Sequence, residues 1–211
     1  MDKPLSARIA LRRQAMLAAG RAVFLEKGFE RTTLSDIVTR SGGSRSTLIG
    51  LFGSKAGLFA EVMQEGSLHI SYTFDFLGES DTPPQEALRD FARRFVAALF
   101  DDPFAIAFLR ILIAEGPRFP ELGQAFLRLG PDTRDRKLGA YFQRCIDKGL
   151  LHPHDPVMLS QIFCGMVIGD SLIRHAIGED MTAQMAQMQA HADAAVEIFL
   201  AGVLAPGGAA G

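Results

Sequence analysis

Apolar residues return every three or four positions along this chain, and no stretch alternates with a period of two. The pattern predicts an all-α fold without internal repeats. The first such stretch, "ARIALRRQAMLAAGRAVFLEKGF", puts Ile9, Met16, Val23 and Phe24 on one face, with Leu17 and Gly20 beside them and Gly28 as the stop. "TTLSDIV" offers Thr33 as an N-cap with Asp36 three residues on, a capping box that opens a short helix to about Arg40. Gly42 and Gly43 form a turn. Ser44 caps the next helix, whose Leu48, Leu51 and Phe52 share a face and are expected to pack on Ile37 and Phe24. Ser54 caps a fourth helix, through Leu58, Phe59, Val62 and Met63 to near Leu77.

"GESDTPP" breaks the chain, and Pro83 and Pro84 open a helix striped with Leu88, Phe91, Phe95, Val96 and Leu99. "DDP" caps another, with Phe104, Phe108, Leu112 and Ile113. After "GPRFPEL", a helical region runs to Lys148 with a bend at Gly130–Pro131. "LHPHDP" is a loop with Asp155 as N-cap, and the last two helices are expected at about 157–177 and 182–204. "APGGAAG" makes a flexible tail.

With 211 residues, 48% of them hydrophobic, the chain is long enough for a real core and is not a disordered sequence. Sixteen Phe, two Tyr and no Trp make Phe the main source of aromatic bulk. The net charge of −2 conceals an asymmetry: residues 1–60 hold ten Lys and Arg against four acids, +6, and the remainder carries −8. A basic end on an acidic body suits a polyanionic partner. The most apolar run, "FAIAFLRILIAEG", contains Arg110 and is too short to span a membrane. The Arg-rich start has the composition of a transit peptide but continues smoothly into a helical pattern. A cytoplasmic protein with no membrane contact is expected.

Residues 34–51 suit a helix-turn-helix, two short helices joined by a Gly-containing turn. On its second helix Arg45, Ser46, Thr47, Ile49 and Gly50 remain outside the packing face. Arg45 suits guanine O6/N7 or a phosphate, and Ser46 and Thr47 suit bases or phosphate oxygens. Thr33 and Lys55 stand at helix starts, where backbone N–H groups favour phosphate.

"MLAAGRAVFLEKGFERTTLSDIVTRSGGSRSTLIGLFGSKAGLF" resembles the N-terminal domain of TetR-family transcriptional repressors over about residues 12–63. "EGPRFPELGQAFLRLGP" and "GLLHPHDPVMLSQIFCGMVIGDSL" resemble the regulatory half of AefR-like members. The resemblance implies a DNA-binding domain over 1–54, a regulatory and dimerisation domain over 55–204 and a tail over 205–211. It implies a homodimer through the last two helices, a double-stranded palindromic operator, and a small-molecule effector in each half. Thr33, Ser44, Thr47 and Lys55 match the family pattern and, with Arg45, Ser46 and Gly50, form the expected DNA-facing set. Ile49 stands where the family usually has Tyr, and Leu51 where it often has Tyr or His, so the usual aromatic phosphate grip is missing. Gly43 replaces a common Val, and Ala56 a common acid.

In the second half Phe95, Phe104, Phe108, Leu112, Phe163 and Met166 are candidates for an apolar effector pocket, or plain core. Asp170 and Arg174, four apart, either orient a ligand's polar group or form a satisfied pair. Cys145 and Cys164 suit inert apolar positions, and His152 and His154 a capped loop rather than a metal site. Gly165 and Gly169, with Met185, Met188, Ala192, Ala195 and Phe199, suit either a dimer face or packing within one chain. No catalytic constellation, metal cluster or cofactor motif is visible, so no enzyme is expected. Two functions follow: a ligand-responsive repressor released by an apolar or aromatic effector, or a TetR-fold ligand-binding or interaction protein that no longer reads DNA.

Overall fold

The structure is a computed structural model that describes residues 3–75, 77, 82–100 and 103–205. Among them the chain forms α1 (Lys3–Lys27), α2 (Leu34–Ser41), α3 (Arg45–Phe52), α4 (Lys55–Asp75), α5 (Pro84–Phe100), α6 (Pro103–Glu115), α7 (Pro120–Leu129), α8 (Pro131–Asp147), α9 (Pro156–Ile168), α10 (Ser171–Ala176) and α11 (Met185–Val203). An antiparallel bridge joins Leu151 to Leu204. The expected break over residues 78–81, the Asp101–Asp102 cap and the tail beyond Ala205 lie outside the described residues.

The predicted caps form. Thr33 Oγ1 accepts from Asp36 N at 3.2 Å while Thr33 N donates to Asp36 Oδ2 at 2.9 Å. Ser44 Oγ accepts from Thr47 N, Ser54 Oγ from Gly57 N, and Asp155 from the amides of Val157 and Met158. Two long helices expected from periodicity are divided. Gly130 and Pro131 separate α7 from α8, because Pro cannot continue a hydrogen-bonded turn. Gly169, at φ +55, ends α9, and α10 starts afresh at Ser171. The His191 ring bonds the Met166 carbonyl at 2.8 Å, partnering a group that the stopped helix leaves free. Asp170 and Arg174 therefore do not lie on one apolar helix of 157–177, as periodicity suggests.

The described chain divides into two compact units, one built from the segment up to Gly66 with Ala107–Leu127, the other from Ser67–Ile106 with the segment from Arg128. The first buries Met16, Leu17, Val23, Phe24, Ile37 and Leu48 almost completely. A ring cluster links Phe24 to Phe59 (5.0 Å), Phe29 to Phe119 (5.1 Å) and Phe59 to Phe108 (5.2 Å). Ile9 departs from its expected inward place and is 49% exposed, because α1 extends beyond the helices that cover its later turns. Leu51 is only half-buried, unlike Leu48 and Phe52.

Residues 28–32, the turn between α1 and α2, are held by charge. Glu115 accepts from the amides of Phe29 (3.0 Å) and Glu30 (2.5 Å). Lys55 Nζ donates to the carbonyls of Phe29 (2.7 Å), Glu30 (3.2 Å) and Thr32 (2.9 Å). Arg118 pairs with both carboxylate oxygens of Glu30 at 2.6 Å. Gly28 suits this arrangement because a side chain there would run into the Glu115 carboxylate.

The second unit packs α5, α8, α9 and α11 around Phe91, Phe95, Phe142, Phe163 and Phe199. Arg93 forms a two-pronged pair with Asp193, at 2.9 and 2.7 Å, tying α5 to α11. Arg144 donates to the Leu77 carbonyl at 2.9 Å, and Lys137 pairs with Asp75 at 2.5 Å.

Two outcomes follow. Lys55→Met should cost about 1–3 kcal/mol in denaturant unfolding without any DNA present, because three carbonyls, two of them half-covered, lose a charged donor. Asp36 is held down at about 2, below its ordinary 3.8, by its bonds to Lys27 and Thr33. Because the folded value is the lower one, its contribution to stability is present above pH 3.8 and lost as pH falls through about 2. Melting temperatures of wild type and Asp36→Asn should differ most above pH 4 and converge towards about pH 2.

Candidate functional site

α2 and α3 are joined by Gly42 and Gly43 at φ +72 and +97, a left-handed turn that residues with a Cβ rarely adopt. A Cβ on Gly43 would also meet Met16 Cε at 3.0 Å and Arg12 Cδ at 3.5 Å. The Val common in the family would therefore crowd α1. The same glycines bring Arg12 to the turn, with its Nη1 3.2 Å from where a Cβ on Gly42 would stand. Arg8 and Arg12 are exposed on α1.

The expected DNA-facing residues gather at this turn, and most of their polar groups already have partners. Ser44 Oγ shares hydrogen bonds with Ser46 Oγ at 2.8 Å and Thr47 Oγ1 at 2.9 Å. Arg45 donates to Ser35 Oγ. Thr33 gives its hydroxyl proton to Asp36 at 2.8 Å. Arg45, Ser46 and Thr47 are exposed, as are Ile49 (48%) and Gly50. A Cβ built on Gly50 meets nothing within 4 Å.

Lys55 is the exception. Its ammonium points inward to three carbonyls and lies 4.4 Å over the Phe29 ring. Burial pushes it down, with Glu115, Glu30 and Glu121 pulling the other way. A phosphate at the start of α4 would meet the exposed Ser54 hydroxyl and backbone N–H groups rather than the Lys55 ammonium. Several other cations are also spoken for: Lys27 by Asp36, Arg40 by Glu26 and Arg13 by Glu61. Sequence reasoning gave no sign of Ser35 or Glu115. Arg12 could have been found, since it stands one turn before the inward Met16 on α1.

The candidate pocket residues are distributed over both units. Phe95 and Phe163 are buried in the second unit, where Phe163 meets Phe91 (6.0 Å), Phe142 (6.0 Å) and Phe199 (5.0 Å), and Met166 packs on that core. Phe104 is 39% exposed. Phe108 and Leu112 belong to the core of the first unit. Arg174 bonds Asp170 at 2.8 Å and Glu179 at 3.0 Å, all near the surface, as a satisfied cluster. Arg174 holds the Asp170 carboxyl below its ordinary range.

Met188, Ala192, Ala195 and Phe199 are buried within the chain, so they cannot form a dimer face. Gly169 faces His191, and Gly165 is open. The outward faces are others: Val157, Met158, Ile162 and Gly165 on α9, and Ala194, Ile198 and Ala201 on α11, all exposed. Cys145 and Cys164 are buried, and burial pushes both thiols up, Cys164 to about 12. Among the described residues no group of three His, Cys, Asp or Glu could hold a metal, and no helix is long and apolar enough to cross a membrane.

Residues 16–62 match the model of the bacterial regulatory proteins of the TetR family, and residues 86–202 match the C-terminal domain of AefR-like transcriptional repressors. The chain is 26% identical to the HTH-type transcriptional regulator YezE of Bacillus subtilis (strain 168), over 84% of this chain and 90% of that protein. Among solved structures it is similar to a TetR-family transcriptional regulator from Mesorhizobium loti MAFF303099, at TM-score 0.79 and 28% identity, covering 93% of this chain and 98% of that one. It is also similar to the flavonoid-responsive regulator FrrA, at TM-score 0.71 and 28% identity, covering 92% and 97%. A capped helix-turn-helix behind a basic α1, followed by a helical second half that matches the AefR-like domain over most of its length, places this chain in the TetR family of transcriptional regulators.

Proposed function

We propose that the protein is a ligand-responsive repressor that binds a palindromic operator as a homodimer and lets go when a small apolar or aromatic effector binds. The helix-turn-helix carries this reading: both helices are capped, and α3 presents Arg45, Ser46, Ile49 and Gly50 outward from a basic segment. Arg45 meets a base edge, and Ser46, Thr47, Ser44, Thr33 and the exposed arginines of α1 attend the backbone. The outward faces of α9 and α11 join two copies, and the two-fold axis sets the operator's symmetry. The Phe-rich second unit suits an aromatic effector, and similarity to a flavonoid-responsive regulator supports that class. Phe95, Phe163 and Met166, all in the second unit, are the residues nearest to such a site in character. A cytoplasmic location goes with this function.

The internal partners of Lys55, Arg45 and the α3 hydroxyls favour a second reading, a TetR-fold binding protein without operator recognition. Gel shifts on the DNA upstream of the chain's own gene, over a salt series, decide between them. A sequence preference with a steep salt slope supports the repressor, and no binding to any duplex at low salt supports the alternative. Arg45→Ala should weaken specific binding by about 1–3 kcal/mol, and unchanged affinity and preference would take Arg45 out of the readout. Ile162→Glu should lower the mass seen in sedimentation from dimer to monomer. A persistent dimer would exclude this face of α9.

A further inference from the structure

The outward strip of α3 consists of Arg45, Ser46, Ile49 and Gly50, related by one- and four-residue steps. Ser46 is hydrogen-bonded to Ser44, and Arg45 to Ser35. What the strip offers without a partner on the protein is the branched side chain of Ile49 and the gap at Gly50. Neither helps the isolated fold. Ile49 is 48% exposed, and a glycine weakens a helix relative to alanine where a methyl group would meet nothing. Both make sense against a surface that is partly apolar and comes close.

We propose that Ile49 is a specificity residue that docks on the 5-methyl group of thymine in the major groove, with Gly50 allowing the helix backbone to approach the base edges. This rests on the DNA-reading function proposed above. The 5-methyl group of thymine is the apolar feature of the major-groove edge, and cytosine, guanine and adenine lack it. An exposed isoleucine on a groove-facing helix therefore selects thymine by burying two apolar groups against each other. Arg45 and Ile49 lie four residues apart, about 6 Å along the axis, and stacked bases are about 3.4 Å apart. The thymine stands one or two base-pair steps from the pair that Arg45 contacts, in each half-site. The residue where the aromatic phosphate grip is absent thus reads a base instead of holding the backbone.

The test uses the full-length protein and a duplex selected by it from a random-sequence library. Each thymine is replaced in turn by deoxyuridine, which differs by the 5-methyl group alone. Wild type should lose about three- to fivefold in affinity at one or two thymine positions per half-site, as expected for one buried methyl group. Ile49→Ala should bind the parent duplex more weakly and be indifferent to uracil at those positions, with its melting temperature unchanged without DNA. Gly50→Ala should melt higher and bind the duplex less tightly. Specific binding by wild type with no uracil-sensitive position overturns the role of Ile49 alone, as does undiminished sensitivity in Ile49→Ala. Equal or tighter binding by Gly50→Ala overturns the close approach. Failure of wild type to select any duplex overturns the DNA-reading function together with this inference.

Discussion

The outward surface of the first unit depends on how one turn, residues 28–32, is held. A turn that leaves one helix and enters another has amides and carbonyls that no helix satisfies. Here the two polarities are met by opposite charges: the Glu115 carboxylate takes the amides of Phe29 and Glu30, and the Lys55 ammonium takes the carbonyls of Phe29, Glu30 and Thr32. Phe29 lies between them, against Phe24, Phe59 and Phe119, with Lys55 over its face. A neutral side chain in either place would leave half-covered polar groups unpaired, which costs more than the bonds themselves contribute. The turn fixes where α2 begins, and the Gly42–Gly43 turn then carries α3. The pose of the recognition helix is thus set by a charged residue at the end of α6.

That constraint explains why the polar groups of the helix-turn-helix are so often engaged with one another. Asp36 closes the cap on Thr33 and also receives Lys27, so the start of α2 is tied to the end of α1. Ser44 gathers Ser46, Thr47 and the Thr47 amide at the start of α3. These bonds are exposed and exchangeable with water, so a nucleic acid could take over individual members at small cost. Their effect in the free protein is pre-organisation: α3 is presented in one orientation before any partner arrives.

Much of this was legible in the sequence, and the division has a physical basis. Caps, Gly turns and apolar stripes are local, so Thr33, Ser44, Ser54 and Asp155 could each be placed from neighbours within four residues. The breaks at Gly130 and Gly169 were half-legible: the glycines were visible, but only tertiary partners such as His191 decide whether a helix bends or stops. Lys55 looked like a phosphate ligand because its position at a helix start suits one. Its actual partners stand 23–26 residues earlier, with Glu115 a further 85 residues away from Glu30, and no spacing rule reaches that far. The stripes on α5, α6 and α9 were read correctly as apolar, but periodicity cannot say which core each one fills.

The last case is sharpest on α11. A helix with one apolar face has an unambiguous inside, whereas one apolar all round does not. α11 buries Met188, Ala192, Ala195 and Phe199 and exposes Ala194, Ile198 and Ala201, while its acids Asp193 and Glu197 pair back onto α5. α9 does the same, with Phe163 and Cys164 inside and Val157, Met158 and Ile162 outside. Two helices of one unit therefore each use their apolar side chains twice, once for the core and once facing outward. Small residues, Gly165 on α9 and Ala194 and Ala201 on α11, occupy the outward faces, where bulk would hold a second backbone away. Sequence alone left Met188, Ala192, Ala195 and Phe199 open between a dimer face and packing within one chain, and their burial gives them to the core. Which side stays outside follows only once the core has claimed the other, because periodicity alone gives both sides of such a helix apolar residues.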